Sequence, residues 1–254
     1  MTKFFRRIRQ QLLTQNRFSK YLVYAIGEIV LVVIGILIAL AINNMNQKRI
    51  DKKNEQTYLI GLKEEFQTSK KKLGELIAVN QNNYNGAKQI LEYISNKNER
   101  PTEAQFSKIL YNTFSSDISF NPNNSLLNEM ISSGSLKGIT NTELRIHLTN
   151  WISTLDDIFK QEKELGIQRE KILDMFRTNE NSLRTIFEQE KLYDAIGLPK
   201  TENKISNLNL LNSTAFENNL LMFIFTSYAT EKAHYNPLKQ DLDSILALIE
   251  NEIK

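Results

Sequence analysis

Two histidines, His147 and His234, stand in a chain of 254 residues that has no cysteine. Without thiols there are no disulfides, no cysteine nucleophile and no cysteine-bound metal. Neither histidine falls in an HExxH or other ligand spacing, so each reads as a surface or packing residue. Asp156-Asp157 and the Glu162-x-Glu164 pair offer carboxylates at helical spacing, which solvated charge on a helix face explains. No glycine-rich phosphate loop and no G-x-S-x-G elbow occurs. These residues predict a protein that is not an enzyme and carries no metal or cofactor. The one ionisable group in an unusual place is Glu28, about eight residues into the apolar run YLVYAIGEIVLVVIGILIALAI.

That run is about 22 residues long, and as a helix rising ~1.5 Å per residue it crosses a bilayer core of about 30 Å. It exceeds the apolar stretch of a secretory signal. Although Ala39-Leu40-Ala41 has a small-x-small pattern, an uncleaved signal anchor is expected. The predicted organisation is a basic amphipathic tail over 1–20, a transmembrane helix over 21–42 and a helical domain over 43–254. Lys3, Arg6, Arg7, Arg9, Arg17 and Lys20 precede the span, against Lys48, Arg49, Lys52 and Lys53 after it. The excess of positive charge places the N terminus in the cytoplasm and the bulk of the chain outside. Net charge is +3, and the tail carries +6, so the remainder sums to −3 and nucleic acid is not an expected partner. Phe4, Phe5, Ile8 and Leu12 share one face of the tail. Arg6, Arg7 and Arg9 lie largely elsewhere, suited to anionic lipid headgroups or to a simple topogenic charge cluster.

Gly27, Leu31, Gly35 and Ala39 recur every four residues. Small residues at that spacing let helices approach closely in lipid, so Gly27, Glu28, Gly35 and Ala39 are candidate packing residues for self-association or a membrane partner. Three readings of Glu28 stay open: pairing with a base on another protein, a protonated carboxyl bonded to Tyr24 or a dimer neighbour, or access to water and headgroups.

Beyond the span the pattern is helical throughout. Leu59, Leu62, Phe66, Leu73, Leu76, Ala87, Ile90 and Ile94 form a heptad-like stripe, with Ser69, Asn80 and Asn83 on the same seam. The Lys70-Lys71-Lys72 run beside it reads as a solvated face. Arg100-Pro101-Thr102 ends this helix, and Thr102 caps one that buries Phe106, Ile109, Leu110 and Phe114. SSDISFNPNNS reads as a turn, Ser125 as the cap of the next helix and Gly134 as its stop. Thr140-Asn141-Thr142-Glu143 reads as a capping box opening a long helix. Its stripe is Leu144, Leu148, Trp151, Leu155, Phe159, Ile172, Leu173 and Phe176. More helix follows near 180–196 and 214–253, with Pro237 a kink or break. The fold class is all-α: a single N-terminal transmembrane helix continuing into an extracytoplasmic antiparallel bundle, with coiled-coil character.

The opening FFRRIRQQLLTQNRFSKYLVYAIGEIVLVVIGILIALAINNMN resembles an uncharacterised family of single-span membrane proteins of Bacteroidetes-type bacteria. That family has a basic tail, a YA-x-GEI-x-LV-x-IGILIAL span and an N-N-W-N exit, where this chain has Met45 in place of the aromatic. FNPNNSLLNEMISSGSLKGITNTELRIHLTNW also resembles it, in an aromatic-x-P turn, a short helix ending in SSG and the Leu144-Arg145 pair. The resemblance implies a Gram-negative inner membrane location and the same architecture, and it assigns no catalytic residue. The expected function is therefore a membrane-anchored interaction or scaffold protein. The alternative is a periplasmic ligand-binding or sensory bundle with its site near the FNPNNS turn, acting through a membrane partner.

Overall fold

The computed structural model describes residues 18–96, 98–199 and 205–253. It is helical as expected, with no strand among the described residues. The α-helices are α1 (Phe18–Ser95), α2 (Glu103–Phe114), α3 (Ser125–Ser133), α4 (Thr142–Asp174), α5 (Leu183–Gln189), α6 (Leu192–Ile196), α7 (Thr214–Thr230) and α8 (Asn236–Glu252). Two 3₁₀ turns cover Ser135–Gly138 and Leu208–Asn212, and a π turn, Glu231–Tyr235, joins α7 to α8. The chain divides into two units, Met1–Glu55 and Gln56–Lys254.

In the first unit α1 contains an 18-residue window of mean hydropathy 2.9, none of it buried. Val23, Leu31 and Ile42 present bare apolar side chains. This helix is long and apolar enough to cross a membrane. No proline interrupts α1, and it runs on past Asn46 as its sequence predicts.

In the second unit the heptad stripe of α1 is the core. Leu59, Phe66, Leu73 and Ala87 alternate with Leu62, Ser69, Asn83 and Ile90, all buried. Gln56 Nε2 donates to the Glu252 carbonyl (2.9 Å), Lys63 pairs with Glu250 (2.9 Å) and Lys70 with Asp243 (2.5 Å). Advancing along α1 therefore means receding along α8, an antiparallel pair. Across α4 the same sense holds. Asn141 Nδ2 donates to Glu252 Oε1 (2.8 Å), and Gln161 Nε2 donates to Thr230 Oγ1 (2.8 Å). One rod, α7 through the π turn to α8, thus lies antiparallel to both α1 and α4. Phe66 and Trp151 meet between them with ring centroids 5.2 Å apart. Where α1 meets α2, a side chain on Gly86 would run into Thr113 Oγ1, so the close approach requires glycine.

Local signals held unevenly. Thr102 caps α2, and with Gln105 it makes the full reciprocal capping box. Gly134 ends α3 in the left-handed region at φ 72°, as a C-terminal glycine should. Ser125 does not cap α3; the cap position is Asn124, whose side chain makes no capping bond. Its amide oxygen instead accepts the Trp151 indole N–H at 2.9 Å. The first N–H groups of α3 go to a distant carboxylate: Glu65 on α1 accepts from Leu126 N (2.7 Å) and Leu127 N (3.3 Å). The expected box at Thr140–Glu143 is a simple cap, with Asn141 accepting from Leu144 N.

Phe159 is 67% exposed, against its expected place in the α4 stripe. The true seam keeps strict heptad spacing, Leu144, Trp151, Ile158, Leu165 and Ile172, all buried. A step of four from Leu155 leaves that line, and Ile158 fills the place given to Phe159. Pro237 neither breaks nor ends the rod. A proline cannot donate to the carbonyl four residues back and crowds it. The turn immediately upstream widens to i→i+5 spacing, and the helix continues.

Candidate functional site

The second heptad line of α4, Leu148 and Leu155, continues to Glu162, so the pattern drives a carboxylate into the core. Glu162 is only 6% exposed. It is therefore not the solvated helix-face acid its sequence neighbours suggested, while Asp156 and Asp157 are exposed. Buried carboxylates need donors. Phe120 N donates to both Glu162 oxygens, at 2.9 and 3.1 Å, and Tyr235 O–H donates to Oε1 at 2.8 Å. Burial pushes the Glu162 carboxyl above its ordinary range, with Asp117 adding to the rise; the Phe120 and Tyr235 hydrogen bonds pull the other way. Burial and the Glu162 charge hold the Tyr235 phenol far above its usual value.

The π turn makes this contact. Its wide register carries both Glu231 and Tyr235 into the interior, four residues apart. Glu231, 3% exposed, accepts from Tyr84 O–H at 3.2 Å and pairs with Lys232 at 3.4 Å. Burial first, and the Glu231 charge second, raise the Tyr84 phenol. One turn back on α1, Asn80 Nδ2 donates to the Ser227 carbonyl at 3.0 Å. Two carboxylate–tyrosine pairs therefore pin the rod, one to α4 and one to α1.

The FNPNN loop is fastened to the same place. Besides Phe120 on Glu162, Asn123 N donates to Ser69 Oγ (2.9 Å). Lys72 Nζ donates to the Asn121 carbonyl (3.0 Å) and to Asn123 Oδ1 (2.6 Å). Lys72 is thus a loop clamp, and Lys70 pairs with Asp243; only Lys71 keeps the solvated role expected of the run. Phe120 closes edge-on over Trp151, 6.4 Å between centroids. Trp151 and Phe66 are core, as read from their spacing. Beside Glu162 a surface cleft of about 600 Å³ opens between Ile118, Ser119, Phe159 and Ile167.

Among the described residues no group of histidine and acidic side chains could hold a metal. His147 Nδ1 lies 3.2 Å from Asp241 Oδ1, a single surface contact. Glu162 and Glu231 each accept from one phenol, an arrangement that fixes helices.

The residues singled out in the span fall on α1. Gly27, Gly35 and Ala39 are exposed, and open space surrounds both glycines. Glu28 and Tyr24 are half-buried, one turn apart. Arg6, Arg7 and Arg9 lie outside the described residues. Nothing in the spacing marks Glu65, Tyr84, Glu231 or Tyr235, and the heptad line through Leu148 and Leu155 runs on to Glu162, read above as a solvated acid.

No curated protein and no solved structure matches the chain significantly. Residues 28–165 match a family described as "Family of unknown function (DUF6090)", a stretch that opens at Glu28 and takes in the FNPNN loop and Glu162. That match spans more than half of the sequence, and the chain belongs to this family.

Proposed function

We propose that the protein is a membrane-anchored helical interaction protein of a Gram-negative inner membrane. Its N terminus is cytoplasmic, its bundle faces the periplasm, and its single span packs against a second copy or a membrane partner. The observation that carries this reading is the open face of the apolar helix. Gly27, Gly35 and Ala39 share one stripe with nothing against either glycine, and Glu28 sits beside it. A lone span gains nothing from small residues, whereas a packed one gains close backbone contact. The interior supports the same reading, since the Glu162–Tyr235 and Glu231–Tyr84 pairs hold helices together. Crosslinking in native membranes, with Glu28→Leu and Gly35→Leu in parallel, tests it. Loss of a span-to-span or span-to-partner adduct in the variants is expected, and adducts unchanged in both would remove the proposal.

A second reading, a ligand-binding bundle that acts through a membrane partner, is favoured by the clefts between its helices.

A further inference from the structure

Between the end of α4 and the short helices after it lies a cavity of about 390 Å³, within the range of about 300–1,000 Å³ common for small-molecule sites. Leu110 and Phe114 of α2, Leu173 and Phe176 at the end of α4, and Ile186 and Phe187 of α5 make its walls. Tyr111 and Ser115 add hydroxyls to the lining, and its charged groups are both arginines. Arg169 donates through Nε to the Phe114 carbonyl (2.9 Å) and through Nη1 to Glu170 (3.3 Å). Arg177 Nη1 donates to Glu170 (2.9 Å) and Asp174 (2.5 Å). The Nη2 groups of both arginines have no protein partner among the described residues. A guanidinium has donors only, so the lining of an apolar chamber here holds two cations, Arg169 with its side chain 19% accessible and Arg177 with 51%.

We propose that this cavity binds a single-chain anionic amphiphile, a fatty carboxylate or a lysophospholipid, with its tail among the phenylalanines and its head on Arg169 and Arg177. Glu170 now bridges the two guanidinium groups from a half-exposed position, side chain 46% accessible, so it can turn to water when a bound anion takes its place. A carboxylate or phosphate matches the planar fork of arginine bidentately. The protein also carries a helix apolar enough to cross a membrane, where such amphiphiles are found. The inference rests on the ligand-binding reading above and names the ligand class for it; the span-packing proposal is independent of it.

The test uses the full chain in lipid nanodiscs with a photoactivatable diazirine fatty acid, mapping the labelled peptides by mass spectrometry. The expected result is labelling on α2, the end of α4 and α5, roughly tenfold stronger for the acid than for its methyl ester, because only the acid forms charge-assisted bonds to the arginines. Arg177→Gln should remove most of that preference, and Ile186→Trp should block labelling by filling the chamber. The acid–ester comparison needs no variant, so it stands even where Ile186→Trp misfolds. Competition by unlabelled fatty acid or by lysophosphatidylglycerol identifies the source of the head. Equal labelling by acid and ester, or labelling confined to residues 21–42, would overturn the proposal. Acid-selective labelling elsewhere in the bundle would overturn this site while leaving the ligand-binding reading in place.

Discussion

Tyr235→Phe removes one hydroxyl from a fully buried ring and keeps its volume, so no cavity contributes to the cost. What it removes is the 2.8 Å bond to Glu162 Oε1. A hydrogen bond to a charged acceptor contributes about 1.5–3 kcal/mol, and a neutral one about 0.5–1.5 kcal/mol. With Glu162 ionised the substitution should cost about 1.5–3 kcal/mol, and in a Glu162→Gln background only about 0.5–1.5 kcal/mol. The double-mutant cycle should return a coupling of about 1 kcal/mol. Trp151 is the only tryptophan and is fully buried. It lies 6.4 Å from Phe120, whose N–H holds the same carboxylate, so its fluorescence during urea unfolding of the full chain in micelles reports this site. The pH dependence has a definite sign. Burial raises the folded Glu162 carboxyl above its ordinary 4.5, so the folded state holds a proton that the unfolded chain releases. Stability from this group is fully present below pH ~4.5 and is lost as pH rises through the raised folded value. Once the carboxyl is protonated, the penalty of Tyr235→Phe should fall to the neutral range. A coupling of zero at a pH above the raised Glu162 value, or a Tyr235→Phe penalty that grows on acidification, would refute the assignment of Glu162 and Tyr235 as one unit.

Glu65→Ala should strip two N–H partners from the start of α3 and cost about 1–2 kcal/mol, with faster amide exchange at Leu126 and Leu127 as its signature. On α4, Ile158→Ala should cost about 2–5 kcal/mol while Phe159→Ser stays within ~0.5 kcal/mol, compared by the same urea titrations. The cysteine-free sequence permits a clean topology assay: Lys48→Cys should react with an impermeant maleimide in spheroplasts and Thr2→Cys only after lysis, the reverse pattern contradicting the proposed orientation.

How far the sequence led depended on the range of the interaction. Periodicity is local, and it located the long helices, the α1 seam with its buried Ser69, Asn80 and Asn83, and the glycine stop at Gly134. The single error of phase, Phe159 for Ile158, came from taking a four-residue step where the heptad line takes three. Caps were less legible because a distant group can satisfy a helix end. Ser125 stands where a capping residue belongs, yet the donors of α3 reach Glu65, some sixty positions earlier. The site was least legible for the same reason. Glu162 looked like one more helix-face acid, and its partners, Phe120 N and Tyr235, lie 42 and 73 positions away. The π turn that delivers Tyr235 left only Pro237 as a signal, and proline announces a disturbed helix without saying how the helix absorbs it.

The seam carries polar groups at a thermodynamic cost, and their placement argues for what they do. Asn80 Oδ1, Asn83 Nδ2 and Ser227 Oγ are buried without a hydrogen-bond partner among the described residues, each costing about 1–3 kcal/mol. Leucine at Asn80 or Asn83 would bury more apolar surface, so stability does not explain them. Heptad stripes alone allow neighbouring helices to slip by one repeat, since apolar side chains fit similar holes in each register. Directional contacts forbid that slip. Asn80 finds the Ser227 carbonyl, Tyr84 finds Glu231 and Glu162 finds Tyr235 in one register only. A shift by one heptad would leave two carboxylates buried without their phenols. The rod is thereby fixed in register against both α1 and α4.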